Sequence, residues 1–183
     1  MDKNVSRLVG SEQFRLGMRS LAAAVTLLTT SHSGHRYGMT ATAVTSVSAE
    51  PPALLVAVNR KASTHDAISK SRLFCVNVLR AEHVELSRSF SGTQSGEVRF
   101  RPDHWTRLAT GAPVLVDALV SFDCRVEKEF AHGTHTLFIG SVEHIVAGKK
   151  GRSLLYTDGQ YGKLATLGER VLPGELPDSL DWI

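Results

Sequence analysis

Val120-Ser121-Phe122-Asp123-Cys124-Arg125-Val126-Glu127-Lys128-Glu129-Phe130 alternates between apolar and polar residues over most of its length. A period of two is that of a strand with one buried face. The turn Ala131-His132-Gly133-Thr134 follows, and 135–145 reads as a second long strand. Two long strands joined by a tight turn are antiparallel.

The rest of the chain repeats this pattern on a smaller scale. The β-branched run 25–30 reads as a strand, Ser31 to Arg36 as a turn, and 37–41 as the return strand of a hairpin. The continuous apolar run 53–58 reads as a buried strand, 73–79 as another, and 154–156 as a last one before the turn Asp158-Gly159. Helices are few and short. Ser11 can cap one that carries Phe14, Met18 and Leu21 on one face, a stripe suited to core packing or a dimer contact. Ser63 or Thr64 can cap a second containing Ala67 and Ile68, and a third spans 82–90 with Val84, Leu86 and Phe90. About seven strands joined mostly by turns give a mainly β fold, an antiparallel barrel and not a doubly wound sheet. The stretch 91–103, rich in Gly, Ser and charge, reads as a mobile lid. The tail 172–183 reads as irregular, packed on a partner through Trp182. No repeat or linker divides the chain, so 1–183 reads as one domain with a core over 14–164 and a tail over 165–183.

Composition excludes several classes. At 183 residues, 42% hydrophobic and 21% charged, the chain has the balance of a soluble globular protein. The net charge of +3 comes from interspersed signs, so no nucleic-acid stripe is read. Lys149-Lys150-Gly151-Arg152 reads as a solvated hairpin loop. No run of about 20 apolar residues suggests a membrane span, and Met1-Asp2-Lys3-Asn4 opens no secretory signal, so a cytoplasmic protein is expected. Cys75 and Cys124 read as reduced core residues.

Four segments carry candidate chemistry. Gly38-Met39-Thr40-Ala41-Thr42-Ala43-Val44-Thr45-Ser46-Val47-Ser48-Ala49-Glu50-Pro51-Pro52 is a run of small and hydroxylated residues. Such residues let a flat ligand lie against the backbone, and the N–H groups of Thr45 to Ser48 can hold its polar edge. A Thr/Ser-rich barrel strand without a ligand has the same composition. Asn59-Arg60-Lys61-Ala62-Ser63-Thr64 joins cations and hydroxyls at a helix start, which suits a phosphate. Together these describe a site for a phosphorylated planar cofactor, with flavin the first candidate. In His132-Gly133-Thr134-His135 the two histidines flank a turn with no third ligand nearby, so no metal is expected, and His135 can face a cofactor. Tyr156-Thr157-Asp158-Gly159-Gln160-Tyr161-Gly162-Lys163 brings two aromatics to a turn, either of which can cover a ring. His32, His35, His65, His83, His104 and His144 read as surface residues, His65 lying close to the anion site. No G-x-G-x-x-G, Walker A, G-x-S-x-G or zinc-protease motif is present.

At these residues the chain resembles the flavin reductase domain family, the short reductase components of two-component flavin-dependent monooxygenases. The likeness runs from about Phe14 to Leu164. It is carried in order by the 38–52 segment, by Val58-Asn59-Arg60-Lys61-Ala62-Ser63-Thr64-His65, by Phe90-Ser91-Gly92, by 135–142 and by 154–164. The resemblance implies a split β-barrel homodimer that reduces FMN or FAD with NADH or NADPH. It implies flavin contacts from Thr40, Ala41, Thr45, Ser46, Val47 and Ser48. Asn59, Lys61, Ser63 and Thr64 would hold the phosphate end, and Phe90 and Gly92 would line the pocket. His135 and Tyr161 would sit on the nicotinamide side as the catalytic candidates. Reduced flavin would diffuse to a separate oxygenase. Two departures fall near the nicotinamide side and bear on the hydride donor: Thr134 stands where many members carry Asp, and Ser141 where many carry Glu. A non-catalytic flavin- or haem-binding barrel and a related flavin-dependent oxidase remain as alternatives.

Overall fold

The computed structural model describes residues 9–92, 97–101 and 104–165. The long hairpin is β9 (Val120–His132) and β10 (His135–Ala147), and its two-residue turn places Gly133 at φ 55°. Upstream, β2 (Thr26–His32) and β3 (His35–Ala41) form the second hairpin. Its turn residues, Ser33 and Gly34, have φ of 50° and 79°, the doubly positive pair that matches strand twist. With β4 (Val44–Ala49), β5 (Pro52–Asn59) and β6 (Leu73–Val78) these strands make one seven-stranded sheet. Its order is β3-β2-β6-β9-β10-β5-β4, with every pair antiparallel.

The two edges of that sheet, β3 and β4, are joined by Thr42 and Ala43 alone. Three Cα steps reach at most about 11 Å. The sheet must therefore curl until its edges meet at this corner, while its ladder stays open elsewhere. This is the split barrel that the sequence leads one to expect. Leu28, Leu54, Val56, Phe74, Cys124 and Phe138 fill its interior.

A second apolar layer lies outside β2. It joins Val25, Leu27, Leu79, Phe90, Phe100, Leu115 and Leu154 beneath α3 (Val84–Ser91). β2 is thus buried on both faces, which explains its unbroken apolar and threonine run. Small sheets complete the fold: β1 (Ala23–Ala24) with β11 (Leu154–Thr157) and β12 (Gln160–Lys163), and β7 (Trp105–Arg107) with β8 (Pro113–Leu115). Six of the seven strands read from the sequence lie in the main sheet. The seventh, 154–156, went to the small one, and β4 took its place.

Gly140 is fixed by packing. A Cβ there would lie 2.6 Å from Phe74 Cζ and 3.1 Å from Cys124 Cβ. Phe74 is fully buried and has no room to retreat. Gly140→Ala is expected to destabilise by about 1–3 kcal/mol, read as a lower melting temperature in thermal unfolding.

Several local expectations change. Both candidate cap hydroxyls fail to cap α2 (Ser63–Ser71), whose N-cap is Ala62, without a side-chain bond. Helix α1 (Ser11–Arg19) is capped at Gly10 and buries nothing: Phe14 is 62% exposed and Met18 47%. Core packing against the described residues is thereby excluded for that stripe. His83 is buried, accepting from the Arg80 backbone N–H at Nδ1 and donating to Asp117 from Nε2. Cys75 and Cys124 are buried free thiols, and burial pushes both well up, so neither is a nucleophile at neutral pH. Residues 93–96 and 102–103 of the 91–103 lid and the whole 172–183 tail with Trp182 lie outside the described residues.

Candidate active site

The corner where the barrel closes opens onto a cleft of about 660 Å³. Thr40, Ala41 and Thr42 form its floor, Val84, Arg88 and Ser91 of α3 one wall, and Tyr156, Gln160 and Tyr161 another. A short hydrogen-bond chain ties these elements. Thr40 Oγ1 donates to the Ser87 carbonyl at 2.7 Å, and Ser87 Oγ meets Tyr161 Oη at 2.9 Å. Tyr161 packs against Tyr156 at 5.3 Å between ring centroids, with the Arg88 guanidinium 5.7 Å from its ring. Arg88 is the only charged residue among the described residues lining the cleft.

β4 leaves the same corner as an exposed edge strand. It pairs with β5 alone, and the register slips at Val47 between Ser46 and Ser48. On such an edge, alternate N–H groups point away from the partner strand, and a bulge re-aims them. Thr45, Ser46 and Val47 are exposed, so the N–H groups that point away from β5 are open to a ligand.

A second cleft of about 530 Å³ lies at the far end of β5, bounded by Asn59, Arg60, Lys61, His65, Asp66, Gly133 and Thr134. Asn59 Oδ1 accepts from the Lys61 N–H at 2.9 Å and bends the chain into α2. With no side-chain cap, the first N–H groups of α2 are open to an anion beside Arg60 and Lys61. His65 Nε2 meets Thr136 Oγ1 at 2.8 Å, and Nδ1 meets Asp66 Oδ1 at 3.0 Å. The Asp66 carboxyl is held below its ordinary range, first by that hydrogen bond.

The structure gathers the expected residues into two groups. Thr40, Ala41 and Tyr161 share the first cleft; Asn59 and Lys61 share the second. Thr45 to Ser48 lie between, on β4. Thr45 pairs with Leu55, four residues from Asn59, which is about 13 Å at the rise of a strand. Ser63 is exposed at the start of α2, but Thr64 is 2% exposed and turned inward. Phe90 is also 2% exposed; its ring lies where a Cβ on Gly38 would stand, so it backs β3 and does not line the cleft. Gly92 ends α3 as its C-cap, next to Ser91 of the cleft wall. His135 pairs with Asn59 at the second cleft, apart from Tyr161. Thr134, the departure from the family pattern, puts its hydroxyl 2.8 Å from His135 Nδ1 and steadies the ring. Sequence reasoning passed over Arg88. The signal was the Val84, Arg88, Ser91 spacing of one helix face, set aside for the apolar face.

This architecture has known counterparts. The family model described as the flavin reductase like domain matches residues 18–165. A protein of Variovorax paradoxus named FMN reductase (NADH) RutF is 44% identical over 83% of this chain and 84% of its own length. The solved flavin reductase PheA2 superposes with a TM-score of 0.78 at 36% identity, covering 86% of this chain and 100% of that one. BorF, the flavin reductase component of a bacterial two-component tryptophan halogenase, gives 0.79 at 30%, covering 86% and 99%. Barrel, motif order and overall similarity agree, and this chain belongs to the flavin reductase family of oxidoreductase enzymes.

Proposed function

We propose that this chain uses NADH to reduce FMN and releases the reduced flavin to a separate flavin-dependent oxygenase. The choice of FMN over FAD, and of NADH over NADPH, is supported by the name of the Variovorax relative. The oxygenase is supported by BorF, itself one component of a two-component system. The observation that carries the reading is the bulged, exposed β4 between an aromatic cleft and a cationic helix start. Its span of about 13 Å suits a ring held at one end and a phosphate at the other.

When both small molecules are bound, the nicotinamide supplies a hydride and the flavin ring takes it up. The chain's part is to place and stabilise them. The outward N–H groups within Thr45, Ser46, Val47 and Ser48 take the ring's polar edge and favour negative charge there. Thr40 and Ala41 are small enough to let the ring lie on β3. Asn59, Lys61 and Ser63 hold the phosphate with the open start of α2. Tyr161 and Arg88 cover the nicotinamide side, and His135, held by Thr134 beside Asn59, stands at the phosphate end. The exposed stripe of α1 and exposed Phe130 and Ile145 on the β9–β10 ribbon support a homodimer.

The test is NADH and NADPH oxidation by purified protein with FMN, FAD or no flavin. Turnover that saturates with FMN and is faster with NADH is the expected result. Tight flavin binding without turnover in any pairing would overturn it and favour a binding barrel.

A further inference from the structure

Helix α3 has a second exposed face, and it borders another cleft. That cleft, of about 380 Å³, lies between Leu86 and Ser89 on one side and Val98, Arg99 and Trp105 on the other. It shares no residue with the two clefts above.

Among the described residues its charges do not balance. Each acidic group on its wall already has a cation. Asp117 binds Arg80 Nη2 at 3.0 Å and His83 Nε2 at 3.1 Å, and Glu85 binds Arg88 Nη1 at 2.6 Å. Glu82 lies 4.0 Å from Arg80 Nε. Arg99 and Arg101 have no ion-pair partner among the described residues. Arg99 Nε is moreover buried without an acceptor among them. Burial pulls the Arg99 guanidinium below its ordinary range. Its plane is anchored 4.8 Å from the Phe90 ring, which fixes the fork.

The walls say what kind of anion. Leu86, Val98 and Trp105 are apolar, and the Trp105 ring is held by Phe100 at 4.8 Å and Phe90 at 5.8 Å. A bare inorganic anion has no use for them. The volume sits at the small end of ligand pockets, about 300–1,000 Å³. We propose that this cleft binds a small aromatic carboxylate, with Arg99 taking the carboxylate and Trp105, Leu86 and Val98 holding the ring. The ligand would rest on the back of α3, whose opposite face carries Arg88 and Ser91 of the first cleft.

Benzoate is the probe, added to the full chain carrying Trp182→Phe, which leaves Trp105 as the only tryptophan fluorophore. Saturable quenching of that fluorescence is expected. Arg99→Gln should weaken it about tenfold or more, as loss of a charge-assisted hydrogen bond does. Benzamide should bind weaker by a similar factor, and inorganic phosphate should not displace benzoate. Unchanged flavin-dependent NADH oxidation without benzoate shows that the variant is folded. Arg99→Lys, which keeps the stem over Phe90, replaces it if the glutamine variant does not fold, and should also bind more weakly. Equal benzoate affinity in wild type and variant, a linear response, or displacement by equimolar phosphate would each overturn the proposal.

Discussion

Arg60→Gln combined with Lys61→Gln is expected to raise the KM for FMN about 10- to 100-fold and leave that for riboflavin nearly unchanged. Both cations border the cleft at the start of α2, whose N–H groups no side chain caps. A phosphate there gains charge-assisted hydrogen bonds, each worth roughly 1.5–3 kcal/mol. Riboflavin has the same ring and no phosphate, so it isolates the contribution of this loop. Arg60 meets the barrel through its backbone N–H to the Thr134 carbonyl, a bond that the side-chain change leaves in place. Both side chains are exposed, so the fold should be unaffected. The effect should shrink as salt rises, because exposed charges are screened. Steady-state kinetics with the two flavins checks it. Equal losses for both would show that the loop supports the ring or the fold, and not the phosphate.

Asn77→Leu carries the largest expected effect on stability. Asn77 is fully buried in β6, and its amide joins several elements. Nδ2 donates to the Leu27 carbonyl and to Thr29 Oγ1, both at 3.1 Å. Oδ1 accepts from the Leu115 N–H at 2.8 Å and from Ser121 Oγ at 2.9 Å. Leucine has nearly the same shape, so the change removes bonds more than volume. It leaves a buried N–H and a buried hydroxyl without their acceptor. At roughly 1–3 kcal/mol for each unsatisfied group, about 3–5 kcal/mol is lost. For a chain of this size that lowers the melting temperature by about 10 °C or more. Ser121→Ala removes one of these bonds and should cost only about 1 kcal/mol. Thermal unfolding followed by circular dichroism compares the two. A leucine variant that melts with the alanine variant would show the network to be dispensable.

The barrel was legible in the sequence because its strands are long or doubly buried. The strand read at 120–130 is β9, although Ser121 and Asp123 are buried with Cys124 and Val126, and the apolar run of 53–58 is β5. β1, β7 and β8 have two or three residues each, too few for a period of two to show. β4 was legible as a small-residue segment and not as an edge strand, since exposure on both faces erases alternation. The two candidate clefts were legible where residue type is itself the signal: small at Thr40 and Ala41, cationic at Arg60 and Lys61. It was obscure where a side chain's direction decides. Phe90 and Thr64 turn inward, and His65 and His83 are drawn into hydrogen bonds with Thr136 and Asp117. A single chain also leaves the stripe of α1 without a partner, and nothing local distinguishes such a stripe from one that finds a core.

The location of the flavin is tested most directly by backbone amide shifts as FMN is titrated into the isotope-labelled protein. The largest changes should fall on Thr45, Ser46, Val47 and Ser48, with a second group at Asn59, Lys61 and Ser63. Changes confined to other strands, with β4 and the start of α2 unmoved, would contradict the site.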